Sequence, residues 1–375
     1  MMKKQSFTHS RKPKFGMRKL SIGLASCMLG MMFLTTGHAN ADDNTGHVGE
    51  TLRLVPGQWG TYGVVSEFQA DKTKEGVMYT KWLDGVTVDD SQFQKLKDDD
   101  GTEYWATPLS NDMGYYDINK DFNQDSDKCS AAVAVNMFHY WLDRNRSSIG
   151  RYLEQSPENG VFRDGSAKLK DFLETYSKDG KYKDASKLFD LISDSFKGPV
   201  WTDKLLDLYI NGYGYKESYG RNIGDSRKNE SGFNFFKKVF DGKFLTDVHT
   251  IGDQDHLSSL LSDALYTGKA IGLSYGPADL YRSLGHIISV WGADFDEHHR
   301  VVAVYVTDSD DKKLTVGNER LGLKRYKVST DDQNRVRLTA YAQTNNTGGR
   351  VRSLFTLDSA KYDWADYFNK TNSEQ

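Results

Sequence analysis

The chain has 375 residues, 49 Lys and Arg against 52 Asp and Glu, 13% aromatics and six prolines. That is long enough for a substantial core in one large domain or two lobes, and too rich in aromatics and poor in proline for a linker array. The formal charge is −3, and removal of the basic leader described next would leave −10, a balance acidic enough to argue against nucleic acid or anionic membrane as the partner.

The first 41 residues read as a secretory leader. Lys3, Lys4, Arg11, Lys12, Lys14, Arg18 and Lys19 precede or border an apolar run from Leu20 to Leu34, and Ala39-Asn40-Ala41 supplies a small-residue cleavage site. The run is too short and interrupted for a comfortable membrane span. Its "FGMRKLSIGLAS" resembles the extended signal peptides of streptococcal surface and secreted proteins, whereas a lipoprotein box at Leu24-Ala25-Ser26-Cys27 is disfavoured because the apolar run continues past Cys27. Cleavage after Ala41 removes seven of the 49 basic residues and none of the 52 acidic ones, leaving 334 residues with a charge of −10. The expected product is secreted, at most loosely held at the cell surface, with no membrane attachment.

Residues 42–75 read as a polar, loosely attached extension, and "VMYTKWL" opens short strands or irregular aromatic structure. Helical spacing becomes clear after Cys129, where Ala132, Val135, Met137, Phe138, Trp141 and Leu142 form an apolar stripe. Further helices are expected in "SAKLKDFLETYS", "ASKLFDLISDSF", "TDKLLDLYIN" and "DQDHLSSLLSDALYTG". Beyond Gly268 the period becomes two, and "AIGLSYG", "HIISVWGADF", "VVAVYVTDSD", "RLTAYAQT" and "RSLFTL" read as strands. Helices followed by a sheet indicate an α+β protein. Residues 76–360 form the expected body and 361–375 a polar tail.

The sequence holds two cysteines, Cys27 and Cys129. Loss of Cys27 with the leader would leave Cys129 a thiol that cannot form an intramolecular disulfide. One account is a small buried hydrophobe. The other is a nucleophile, since Asp127 or its neighbours would cap a helix whose first turn holds Cys129, and a helix N-terminus favours the thiolate.

A nucleophile of this kind needs an imidazole and a group to orient it. Of the histidines left after the leader, His47 falls in the extension and His139 lies ten residues along the same helix, about 15 Å from Cys129. His249 and His256 flank a polar helix start, and His298 and His299 fall in the charged turn "DFDEHHR". His286 opens a strand. A hairpin centred on Glu297 would place His286 opposite Asp308, Ile288 opposite Val306 and Val290 opposite Val304, with Asp310 further along the same face. Lys120, upstream of the cysteine, is a candidate oxyanion donor. The alternating Asp117, Asn119, Asp121, Asn123 and Asp125 suggest calcium, but Phe122 and Lys128 stand where an EF-hand needs Gly and Glu, and no zinc spacing occurs. No metal or cofactor is expected.

Cys129, His286 and Asp308 follow the chain order of papain-like cysteine proteases. At "WLDGVT", "YDINKDFN", "CSAAVAVNMFHYWLDRN", "RYLEQSPE", "INGY", "HIISVWGADFD", "YVTDSD" and "SLFTL" the sequence resembles the streptococcal immunoglobulin-G-degrading cysteine endopeptidases of the Mac family. The resemblance implies a papain-like fold, with a helical lobe carrying the nucleophile and an antiparallel sheet lobe carrying His and Asp. It puts the family's catalytic residues on Cys129, His286 and Asp308, its oxyanion lysine on Lys120 and its second aspartate on Asp310. It also implies an IgG heavy chain as protein substrate, cut at a Gly-Gly step in the lower hinge. Ser130 stands where the family pattern has Gly, the Lys120 to Cys129 loop is one residue short, and residues 159–200 and 214–250 match poorly, so IgM or another host's antibody is an alternative substrate. A non-catalytic binder of antibody or Fc receptor and a cell-wall amidase are the rival readings.

Overall fold

The structure, a computed structural model, describes residues 76–97, 103–110, 113–120, 128–162, 165–173, 186–194, 196, 200–212, 234–240, 243–276, 285–311, 314–338 and 348–373. The expected leader, the extension 42–75, His47 and the acidic stretch 121–127 lie outside them.

Three strands come first, β1 (Tyr79–Trp82), β2 (Gln94–Lys97) and β3 (Glu103–Pro108). Six helices follow: α1 (Cys129–Arg144), α2 (Arg146–Gln155), α3 (Lys170–Leu173), α4 (Lys187–Asp194), α5 (Thr202–Asn211) and α6 (Lys237–Phe240). The remainder is β4 (Thr246–Thr250), α7 (Gln254–Thr267), β5 (Ala270–Gly276), β6 (His286–Phe295), β7 (Val301–Thr307), β8 (Thr315–Val316), β9 (Glu319–Thr330), β10 (Val336–Leu338), β11 (Gly349–Leu357) and α8 (Lys361–Ser373). The α+β expectation holds, with one change. Among the described residues, strands that precede the helices also join the sheet, since β1 adds to β6 and β3 adds to β9.

Strands β6, β5, β11, β10, β9 and β7 pair antiparallel in that order, and β7 pairs back to β6, closing a barrel. Closure leaves the ring without an edge; β1, β4, β8 and the β3–β2 pair attach outside it. Strands β5, β6 and β7 are buried along almost their whole length, which explains why β6 reads as a near-continuous apolar run.

Helix α1 is buried on nearly every side, from Cys129 through Leu142 apart from Ser130. It packs on β5 and β6 and is covered by α4 and α5. Its alanines at 131, 132 and 134 allow close approach, and the larger residues at its far end meet an aromatic cluster. The stretch set apart as a tail is α8. Its Trp364 stacks edge-on against Phe236 and Phe240, at 5.7 and 5.3 Å, and sits 6.4 Å from Trp141. Helix α7 starts where the Asp253 carboxylate accepts from the His256 amide, and ends at Gly268 in the left-handed region.

Candidate active site

Cys129 opens α1 and is 1% exposed. The cap differs from expectation, because Asp127 lies outside the described residues and the N-cap residue is Lys128, which makes no side-chain capping bond. Its ammonium instead donates to the carbonyls of Ser193 and Phe196, the latter at 2.8 Å, and sits 3.9 Å above the Phe196 ring. Thr202 Oγ1 donates to the Ser130 carbonyl at 3.2 Å. The first turn of α1 is thus fastened to the end of α4 and the start of α5, with the sulfur at the positive end of the helix dipole.

Cys129 is disulfide-bonded in this structure. Nucleophilic chemistry at Cys129 requires the thiolate, and so requires the reduced side chain.

His286 opens β6 opposite Tyr275 of β5, whose ring it meets edge-on at 5.7 Å. Its Nε2 bonds Asp308 Oδ1 at 2.6 Å. The same carboxylate oxygen accepts from the Asp310 amide at 3.0 Å. Asp310 Oδ2 lies 3.8 Å from His286 Nδ1, and its Oδ1 is ion-paired with Lys120 Nζ at 2.8 Å. Nδ1 makes no hydrogen bond among the described residues. It is the nitrogen left to exchange a proton with a thiol.

The expected hairpin register needs correction. Ser289 pairs with Thr307 and Val290 with Val306, so Ile288 does not face Val306, nor Val290 face Val304. The turn is centred on His298, one residue later than expected: the Asp296 amide donates to the Arg300 carbonyl, the Asp296 carboxylate accepts from the His298 and Arg300 amides, and His299 takes φ 60°. Moving a turn centre by one residue moves every pair by two. Strand β7 ends at Thr307, and Asp308 reaches the imidazole from the loop beyond it.

Helix α1 and β6 run in the same direction. Asn136 Nδ2 donates to Ser289 Oγ at 3.0 Å, and four residues later Tyr140 packs edge-on against Trp291 at 5.9 Å. Seven residues back from Asn136 is about 10.5 Å of helix, and three residues back from Ser289 is about 10 Å of strand. Cys129 and His286 therefore emerge at the same end of the packed pair. The approach is close because β5 has Gly272 there, where a Cβ would lie 3.0 Å from Val133 Cγ1 and 3.4 Å from Met137 Sδ. Residues 116–120 are laced between α1 and the end of β7, which brings Lys120 to the site. The Ile118 amide donates to Asn136 Oδ1 at 3.0 Å, Thr307 Oγ1 donates to the Tyr116 carbonyl at 2.9 Å, and the Lys120 amide donates to the Ser309 carbonyl at 3.1 Å.

Behind the imidazole lies a buried charge network absent from the sequence reading. Lys324 of β9 places Nζ 3.8 Å from Asp308 Oδ2 and 3.3 Å from Asp311 Oδ2, and Arg320 lies 3.6 Å from Asp117. Burial alone would raise Asp308, but His286 and Lys324 hold its carboxyl far below the ordinary range. Burial would lower His286, yet Asp308 and Asp310 outweigh it and raise the imidazole. Asp310 is pushed up by burial and by Asp308, only partly offset by His286 and Lys120. The resting assignment is an anionic Asp308 beside an imidazole biased toward its charged form.

His286, Asp308 and Asp310 offer ligand atoms within 4.8 Å of one another, but two buried ammonium groups already face those carboxylates. Asp117 and Asn119 of the proposed cation loop are likewise engaged, Asn119 Nδ2 donating to Asp117 Oδ1 at 3.2 Å. His139 is a core residue, 2.7 Å from Ser186 Oγ and pushed down to about 3 by burial. His298 and His299 are exposed.

A carboxylate-clamped imidazole thus sits beside a buried lysine, at the end of a barrel where a helix begins with cysteine. The particular family is given by comparison with known proteins: residues 63–364 match the Mac 1 family, and the chain belongs to it. A Streptococcus suis (strain P1/7) protein named IgM protease is 33% identical over 303 residues, which is 77% of this chain and 25% of that relative. The chain spans about a quarter of the length of the relative it matches.

Proposed function

We propose that the chain is a secreted, papain-like cysteine endopeptidase that cuts immunoglobulin heavy chains. The observation that carries this reading is the buried His286–Asp308 pair at 2.6 Å, set at the end of α1 that begins with Cys129. The two-lobed description assigns α1 and its covering helices to one side and the barrel to the other, with residues 76–360 as the catalytic body.

In the reduced protein the Cys129 thiolate attacks the peptide carbonyl carbon. The oxyanion is met by the Cys129 amide and the Lys120 ammonium, whose three N–H bonds let it serve more than one acceptor. His286, held by Asp308, gives its proton to the leaving amine as the C–N bond breaks. A water then gives a proton to His286 and its oxygen to the thioester, releasing the carboxylate product and regenerating the thiolate. The chemistry uses no cofactor.

For substrate, the motif resemblance favours the lower hinge of IgG, where a Gly-Gly step suits a narrow cleft. The 33% identity to a protein named IgM protease favours IgM. Incubating reduced wild type and Cys129→Ala with purified IgG and IgM from several mammals, read by gel, tests both. Discrete heavy-chain fragments from wild type alone support the reading. Intact heavy chains throughout, or cleavage by Cys129→Ala, refute it, and binding that survives iodoacetamide without cleavage would mark an antibody-binding protein instead.

A further inference from the structure

We infer that Lys324 is a positioning residue for the catalytic acid–base pair, holding Asp308 ionised and oriented from the side opposite His286. The inference rests on the proposed peptidase reading and adds to it a residue that touches neither substrate nor nucleophile. Asp308 has two oxygens to satisfy in a site with no exposure. One oxygen takes His286 Nε2 and the Asp310 amide, at 2.6 and 3.0 Å. The other makes no hydrogen bond among the described residues, and Lys324 Nζ is the cation facing it, at 3.8 Å. Lys324 is itself fully buried, packed between the rings of Tyr104 and Tyr326 at 5.9 Å from each centroid, so its ammonium cannot turn to water.

An ammonium in the interior persists only where anions repay its desolvation. Its anionic neighbours are Asp308 and Asp311, at 3.8 and 3.3 Å. Asp311 is driven well above the ordinary carboxylate range by burial and by its acidic neighbours, against the pull of Lys324. Asp308 is therefore the anion that Lys324 balances. Among the described residues the groups facing Asp308 are His286 from β6, Lys324 from β9, Tyr275 from β5, and Asp310 and Asp311 from its own loop. Lys324 is the cation facing Asp308 besides His286 among the described residues. It keeps Asp308 from drawing the His286 proton too tightly, because a carboxylate shared between two cations stabilises each less than it would alone.

The test uses two readouts. In reduced protein, Lys324→Met should lower kcat about tenfold with KM little changed, and should move the alkaline limb of kcat/KM upward by about one pH unit, the size expected for a unit charge at this range. Lys324→Arg should restore most of kcat. Independently of any substrate, the His286 ring followed by NMR in a Cys129→Ala background should titrate at higher pH once Lys324 is replaced by Met. Lys324→Gln keeps a donor without the charge and serves if the Met variant does not fold. An unmoved His286 titration in a folded Met or Gln variant overturns the inference. Failure of wild type to cleave any immunoglobulin would instead count against the peptidase reading and leave the NMR result to decide Lys324.

Discussion

The Lys120–Asp310 ion pair separates stability from catalysis. Both side chains are buried, 0% and 2% exposed, and the charged atoms are 2.8 Å apart. Lys120→Met removes the ammonium and strands Asp310 in the interior, and breaking a buried pair from one side costs about 3–5 kcal/mol. It also removes a proposed oxyanion donor, worth about 10²- to 10³-fold in kcat. The double variant Lys120→Met/Asp310→Asn has no stranded charge, so it should recover most of the stability while kcat stays low. Urea unfolding and steady-state cleavage of the same preparations give the two numbers. The sign of the pH effect follows from the raised Asp310 carboxyl. A carboxyl titrating higher when folded than when unfolded costs stability as pH rises above its unfolded value, and losing Lys120 raises it further. The deficit of Lys120→Met should therefore be smaller at pH 4 than at pH 8. Unchanged stability in the single variant, or a double variant no more stable than the single, would refute the pairing argument.

Asn136→Ala removes two buried bonds, to the Ile118 amide and Ser289 Oγ, each 3.0 Å. A loss of about 2 kcal/mol is expected in urea, with kcat falling because α1 and β6 lose their common anchor. Trp364→Ala should cost about 3–5 kcal/mol by thermal or chemical unfolding, as for other large aromatic truncations in cores. A near-neutral result would show that α8 is dispensable to the body.

The elements marked by a sustained apolar run or a helical stripe were visible in the residues. Helix α5, β5 and β6 occupy the expected stretches "TDKLLDLYIN", "AIGLSYG" and "HIISVWGADF", because apolar period and end signals agree there. Strand β9 was missed for the opposite reason. Its "ERLGLKRYKVST" carries Arg320, Lys324 and Arg325, all buried, each facing an aspartate. A charged residue that is inside because a partner elsewhere neutralises it looks like a surface residue in sequence. The same logic hid Lys324 from the site. Helix α8 was set apart as a tail because Trp364 and Phe368 are four apart in an otherwise polar segment, a stripe too narrow to stand out. His286 and Asp308 could be paired from sequence, since a hairpin brings neighbouring strands together. Their register could not, because it depended on a turn held by Asp296 and on bulges that only the folded ladder reveals.

Gly272 acts as a spacer of zero thickness. The imidazole rides on one stave of a closed ring and its carboxylate on the loop that leaves the next, whereas the sulfur arrives on a separate rod, so the gap between them is set by how deeply that rod beds into the ring. A single methyl at position 272 would press on the Val133 side chain, which would have to give by a few tenths of an ångström. Reactivity at the far end could thus be tuned, or lost, by a residue that contributes no chemistry and never meets the substrate.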